Sequence, residues 1–201
     1  MAGESSANTF GQPEDLEVRI HRECASVTVE TTDGPQEIRR IQDTQNKISG
    51  EFALTSRPCP PFCIQPMVAA DGVVTIGELE LLDMLETGDA VVVDSRTERW
   101  FVHGTIPGAV HMPFTDATAQ LDKLGCVRVD GGWDCTNAKP VALFCNGSWC
   151  GQSPTSIHAM IEAGYPAERI FYYRGGIQDW RQVGLTVTGD EDQGAALGNA
   201  G

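Results

Sequence analysis

Apolar and polar positions first fall into a regular pattern at Leu16, Val18 and Ile20, which alternate, followed by Val27 and Val29. Asp33-Gly34 separates that run from Ile38 and Ile41. A period of two broken by a glycine turn predicts short strands and a hairpin, so residues 15–56 read as a β-rich extension. Next comes Arg57-Pro58-Cys59-Pro60-Pro61-Phe62-Cys63-Ile64-Gln65-Pro66. Its four prolines exclude helix interior and central strand alike, so residues 57–72 read as a rigid linker, or a strap across the domain that follows.

Beyond the strap the pattern changes period. Thr75 with Glu78 three residues on has the form of a capping box, and Leu79, Leu82, Met84 and Leu85 follow as an apolar helix face ending at Gly88. Ala90–Val93, Val141–Phe144 and Ile170–Tyr173 are short apolar runs of the kind buried on both faces of a parallel sheet. Helices are expected between them at about Asp116–Leu124, at Pro154–Ala163 with Ser153 as N-cap and Pro154 in the first turn, and at Ile177–Val183. This alternation predicts an α/β domain over residues 73–188 with a central, mainly parallel sheet flanked by helices. Residues 1–14 and 189–201, rich in Gly, Ala, Ser, Asn and acids, show no period and are expected to be disordered.

Charge narrows the partners. Fourteen Lys and Arg against 28 Asp and Glu leave a formal charge of −14. Glu4, Glu14, Asp15, Asp190, Glu191 and Asp192 lie in the two tails, yet more than half of the excess belongs to the body. Such a surface repels nucleic acid and anionic membranes, so neither is an expected partner. The longest uncharged stretch, Pro140 to Ile161, is interrupted by Asn146, Gly147, Ser148, Gln152, Ser153, Pro154 and His158, which excludes a membrane span. Met1 to Gln12 has neither a basic nor an apolar leader region, so the expected location is cytoplasmic. There are seven cysteines, at 24, 59, 63, 126, 135, 145 and 150. In a reducing compartment, reactivity or metal binding accounts for them better than a disulfide framework does.

Cys145 directly follows the Val141–Phe144 strand, and Asn146, Gly147, Ser148, Trp149, Cys150, Gly151 and Gln152 lead to the next helix. A turn from strand end to helix N-terminus gathers backbone N–H groups and the positive end of the helix dipole, so it stabilises an anion. On that basis the Cys145 thiol is expected below the free value of about 8.5, as a nucleophile near neutral pH. Cys150, five residues on, is placed to resolve an oxidised or persulfidated Cys145, or simply to pack beside Trp149. Cys59 and Cys63 have a spacing compatible with zinc but no second ligand pair, and read as a redox pair or buried thiols. Cys126 and Cys135 flank a glycine hairpin across which they could meet. His103, His111 and His158 read as packed or solvated rather than as general bases. No nucleotide-binding motif is present, and neither a cofactor nor a metal is expected.

Asp94-Ser95-Arg96, then Gly104-Thr105-Ile106-Pro107-Gly108-Ala109-Val110-His111-Met112-Pro113, then Cys145 at a strand end, then Gly175-Gly176-Ile177-Gln178-Asp179-Trp180 resemble, in order, the landmarks of a rhodanese domain. The resemblance implies a rhodanese-like α/β fold and a sulfurtransferase whose cysteine takes a sulfane sulfur as a persulfide and passes it to a thiophilic acceptor. It gives Cys145 the nucleophile position and residues 146–152, with Ser153, the cradle for the transferred group. The implied partners are a small-molecule sulfur donor and a thiol acceptor; oligomeric state is not addressed. Two departures matter. Thr105 stands where the family usually has His. Gln152-Ser153 stands where an Arg-Ser pair usually opens the helix, so Cys145 through Ser153 holds no charge, and Arg96 or Arg174 is the candidate to meet an anionic donor. The same absence of a guanidinium argues against the phosphatase relatives of this fold. A module that senses redox state through Cys145 and Cys150, without turnover, is the alternative reading. Reductase chemistry by the same pair is a third.

Overall fold

The computed structural model describes residues 17–189; apart from Gly189, the segments expected to be disordered lie outside them, as does Leu16. Among the described residues, nine strands and four α-helices follow one another. The strands are β1 (Ser26–Thr31), β2 (Gly34–Arg39), β3 (Val74–Ile76), β4 (Val91–Asp94), β5 (Val110–His111), β6 (Val127–Val129), β7 (Gly132–Asp134), β8 (Val141–Phe144) and β9 (Ile170–Tyr173). The helices are α1 (Glu78–Thr87), α2 (Glu98–Val102), α3 (Gln152–Glu162) and α4 (Gly176–Gln182). β3, β9, β8, β4 and β5 form, in that order, one five-stranded sheet, and every pairing in it is parallel. The predicted α/β architecture is therefore present, with β1–β2 and β6–β7 as separate antiparallel hairpins.

Alternation along the central strands sorts the core into two layers. Val93, Val141, Leu143 and Tyr172 face Ile157 and Met160 of α3 together with Leu121 and Leu124. Val92, Ala142, Phe144 and Tyr173 face Leu81 and Leu82 of α1 and Ile177 and Trp180 of α4. Val27, Val29 and Ile38 of the first hairpin join this second layer, so the N-terminal extension fills core rather than standing apart. Trp180 is wholly buried there, and a large apolar side chain so placed contributes about 1.5–3 kcal/mol.

Three local expectations are corrected. The box opening α1 is shifted two residues: Gly77 is the N-cap, the Glu80 carboxylate accepts its N–H at 2.9 Å, and Thr75 lies in β3. Asp116–Leu124 forms two 3-10 turns, Ala117–Ala119 and Leu121–Leu124, divided at Gln120. Spacing of three brings Leu121 and Leu124 onto one buried face, which the tighter helix satisfies. In α3 the N-cap is Gly151, with helical backbone; Ser153 lies inside the helix and its hydroxyl is used elsewhere. Among the described residues no helix is long and apolar enough to cross a membrane.

Candidate functional site

Cys145 and Cys150 occupy the turn between β8 and α3, at the carboxyl end of the central sheet, and both are buried at 1% and 5% exposure. The turn is anchored from the following β–α junction. Ile177 N–H donates to Cys145 O at 3.1 Å and Gln178 N–H to Asn146 O at 2.9 Å. That approach requires Gly176: its φ is +59°, and a Cβ there would strike Cys145 O and lie 2.8 Å from Gly147 N. The Gly175-Gly176 landmark thus exists to let one backbone press against the other.

Beneath the turn lies a buried polar cluster. Asp94 ends β4, and its carboxylate accepts Arg96 Nη2 at 2.6 Å, Arg96 Nε at 2.9 Å and the Thr105 hydroxyl at 2.8 Å. Arg96 also donates to Gly104 O at 2.6 Å and to Asn146 Oδ1 at 3.3 Å, and its own carbonyl is held 2.9 Å from His111 Nε2. Thr105, where the family usually has His, takes part in this cluster as a donor. Every nitrogen of Arg96 is committed, so it does not reach into the turn as a free cation, contrary to that expectation. Its charge still acts through space on Cys150.

The two sulfurs are not equivalent. Ser153 Oγ donates to Cys145 Sγ at 3.1 Å, while the Cys145 thiol donates to Cys150 O at 3.1 Å. Asn146 Nδ2 points at Cys150 Sγ from 3.9 Å. Burial, with the neighbouring Cys150 thiol, pushes the Cys145 thiol well above its ordinary value. Cys150 is lowered to about 7, first by the hydrogen bond from Cys145, then against burial by the N–H groups of Gln152 and Asn146 and by the charge of Arg96. The N–H groups of Gln152 and Asn146 thus act on Cys150, while Cys145 meets the hydroxyl and N–H of Ser153.

The strap closes over the turn, which the sequence suggested without naming its target. Gln65 N–H donates to Ser148 O at 2.8 Å, and the Gln65 amide lies against Gly151. Phe62 meets Trp149 edge to face, with centroids 5.4 Å apart, and the Arg57 guanidinium stacks on Trp149 at 4.0 Å while pairing with Glu51 at 3.3 Å. Trp149 Nε1 donates to Gln178 Oε1, and Gln178 Nε2 to Phe52 O at 2.9 Å. Arg174, the second candidate for a substrate cation, donates to Gln65 O at 2.9 Å and to Pro66 O at 3.2 Å and so also ties down the strap. Arg57, Phe62, Gln65 and Gln178 were missed as site neighbours. The Pro-Cys run signalled a strap, but nothing local told what it crosses.

Four cysteines are paired, more than a reducing compartment led one to expect: Cys59 with Cys63 in the strap, one of the two readings given for that pair, and Cys126 with Cys135 across the β6–β7 hairpin, where the sequence allowed them to meet. Cys24, Cys145 and Cys150 are free. His111 is stacked on Phe101 and His158 is exposed, so neither faces the sulfurs as a base.

An HTH-type transcriptional regulator of Mycobacterium tuberculosis is 28% identical over 163 residues, which are 76% of this chain; the match spans 64% of that regulator's length. Among solved structures, a Bacillus halodurans protein has 22% identity and a TM-score of 0.46, covering 59% of this chain and 78% of its own. A human single-domain sulfurtransferase has 19% identity and a TM-score of 0.41, covering 54% of this chain and 95% of its own. The family model for the rhodanese-like domain matches residues 78–183, just over half of the chain and the stretch from α1 to the end of α4. With its landmarks gathered around one cysteine turn at the end of a parallel sheet, this chain belongs to the rhodanese-like domain family.

Proposed function

We propose that this protein is a sulfurtransferase that carries a sulfane sulfur on Cys145. The observation that supports the reading best is the hydrogen-bonded pair of buried thiols, one raised and one lowered to about 7, in a family whose chemistry depends on a cysteine at this strand end. Once Cys150 is ionised, the pair holds one proton. As a donor enters, Cys150 takes the proton of Cys145, and the Cys145 thiolate attacks the donor's outer sulfur. The donor's S–S bond breaks, its remaining sulfur leaves with the electron pair, and Cys145 becomes a persulfide. The Ser153 hydroxyl and N–H, which act on Cys145 Sγ, help carry the charge of the persulfide. A thiol acceptor then takes that sulfur and returns Cys145 to its thiolate.

Intact mass after incubation with thiosulfate, and separately with a low-molecular-weight persulfide, tests the assignment. The expected result is a gain of one sulfur atom in the wild type and in Cys150→Ser, more slowly in the latter, and none in Cys145→Ser. A gain that survives in Cys145→Ser but not in Cys150→Ser would transfer the nucleophile's role to Cys150.

The contact between the two thiols favours a second reading, the redox module. There, mild oxidation joins Cys145 to Cys150, with loss of two hydrogens and no sulfur gained from any donor.

A further inference from the structure

The cysteines fall into three environments. Cys126 and Cys135 are 4% and 3% exposed and packed in the core, where a disulfide is inert. Cys145 and Cys150 are buried free thiols. Cys59 and Cys63 form a disulfide across only four positions of chain, with Cys59 exposed and Cys63 half-buried. A bond that closes so small a loop adds less chain constraint than the hairpin's, and an exposed disulfide is open to attack by a thiolate.

The segment that carries this exposed disulfide lies against the turn that carries the two free thiols. Phe62, whose ring meets Trp149, directly precedes Cys63, and Trp149 directly precedes Cys150. Gln65 N–H is bonded to Ser148 O, so segments 62–65 and 148–151 run side by side. We propose that the strap disulfide is the electron acceptor for the Cys145/Cys150 dithiol, so that strap and turn form an internal dithiol–disulfide relay. The Cys150 thiolate attacks Cys63 Sγ, the Cys59–Cys63 bond breaks, and Cys59 leaves as a thiolate toward solvent. That thiolate takes a proton from water. Cys145 then attacks Cys150 Sγ, and its proton passes to the departing Cys63 sulfur as the Cys63–Cys150 bond breaks. One disulfide is lost and one formed, two electrons pass from turn to strap, and no outside oxidant enters. The relay carries the state of thiol–disulfide couples in solution to two sulfurs that are themselves nearly inaccessible. It needs no sulfane donor and does not depend on sulfur transfer.

The full chain is reduced, exchanged into anaerobic buffer, exposed to oxidised glutathione, quenched with acid, alkylated and mapped by peptide mass spectrometry. In Cys145→Ser the expected product is a peptide pair joined Cys63 to Cys150, with Cys59 alkylated. In Cys59→Ser/Cys63→Ser, oxidation of Cys145 and Cys150 should slow at least tenfold. A strap variant that only loosened the fold would expose the turn and speed that oxidation instead, so slowing is not a sign of damage. The relay is overturned if Cys145→Ser yields no Cys63–Cys150 link, or if the strap variant oxidises its turn as fast as the wild type. Either failure leaves sulfur loading on Cys145 untouched, and failure of that loading leaves the relay untouched.

Discussion

Ser153 donates its hydroxyl to Cys145 Sγ at 3.1 Å from inside the first turn of α3. A hydrogen bond to a charged acceptor contributes about 1.5–3 kcal/mol, so Ser153→Ala should slow sulfur loading or alkylation of Cys145 by roughly tenfold or more. The removed group is small and lies on a helix, so the thermal midpoint should move little. Stopped-flow alkylation and a melting curve on the same protein check both halves.

Cys150 is lowered from 9.0 to about 7, with the hydrogen bond from Cys145 as the largest cause. The rate of its reaction with iodoacetamide should therefore rise with pH through a midpoint near 7, and Cys145→Ser should move that midpoint upward. The same shifts set a stability profile. A thiol whose folded value is depressed adds stability as pH rises from about 7 to its unfolded value near 9, and loses it as pH falls back through 7. Cys145, raised by burial, acts the other way: above its unfolded value the unfolded chain ionises first and the fold loses stability. The stability that the wild type holds over a Cys145→Ala/Cys150→Ala variant should thus climb from pH 7 and turn downward above about 9. A flat difference in melting temperature across that range would contradict the assignment.

Arg96 and Asp94 are 1% and 0% exposed and joined at 2.6 Å. Removing one partner of a buried pair leaves the other charge uncompensated, at a cost of about 3–5 kcal/mol, so Arg96→Met should lower the urea midpoint strongly. Arg96→Lys should recover only part of the loss, since an ammonium cannot reach Asp94, Gly104 O and Asn146 together.

Gly176→Ala sets a Cβ against Cys145 O at a φ of +59°. The β8–α3 turn must then retreat, and sulfur loading should fall by about a hundredfold, since displacement by about 1 Å can cost that much. Secondary structure seen by circular dichroism should persist, because the contact lies at the junction and not within the sheet.

Arg174 separates two roles cleanly. If its place is to pin the strap through Gln65 O and Pro66 O, Arg174→Gln should free the strap and raise the alkylation rate of Cys150, by about tenfold for loss of roughly 1.5 kcal/mol of hydrogen bonding. A substrate cation would leave that rate unchanged and weaken only the binding of an anionic donor, read as KM for thiosulfate.

The central strands, the first hairpin and the cysteine turn were legible because each rests on a local signal. Val141–Phe144 is apolar throughout because both faces of β8 are covered, and Asp33-Gly34 marks a turn by its backbone needs alone. Asp116–Leu124 misled because spacing of three suits a helix and successive 3-10 turns alike. The capping box at Thr75 misled because a nearby glycine and Glu80 satisfied the same donors.

The order of strands and helices, the turn that holds Cys145 and Cys150, and membership of a family follow from the chain itself, since period, turn chemistry and motif order are properties of neighbours in sequence. How differently the two sulfurs are surrounded was decided only by the fold. A thiol's ionisation depends on burial and on groups brought from afar, here Arg96 from the end of β4 and Ser153 from α3. The same holds for the cover over the site. Proline made residues 57–66 stiff, but only packing chose Trp149, Ser148 and Gly151 as what they would lie upon.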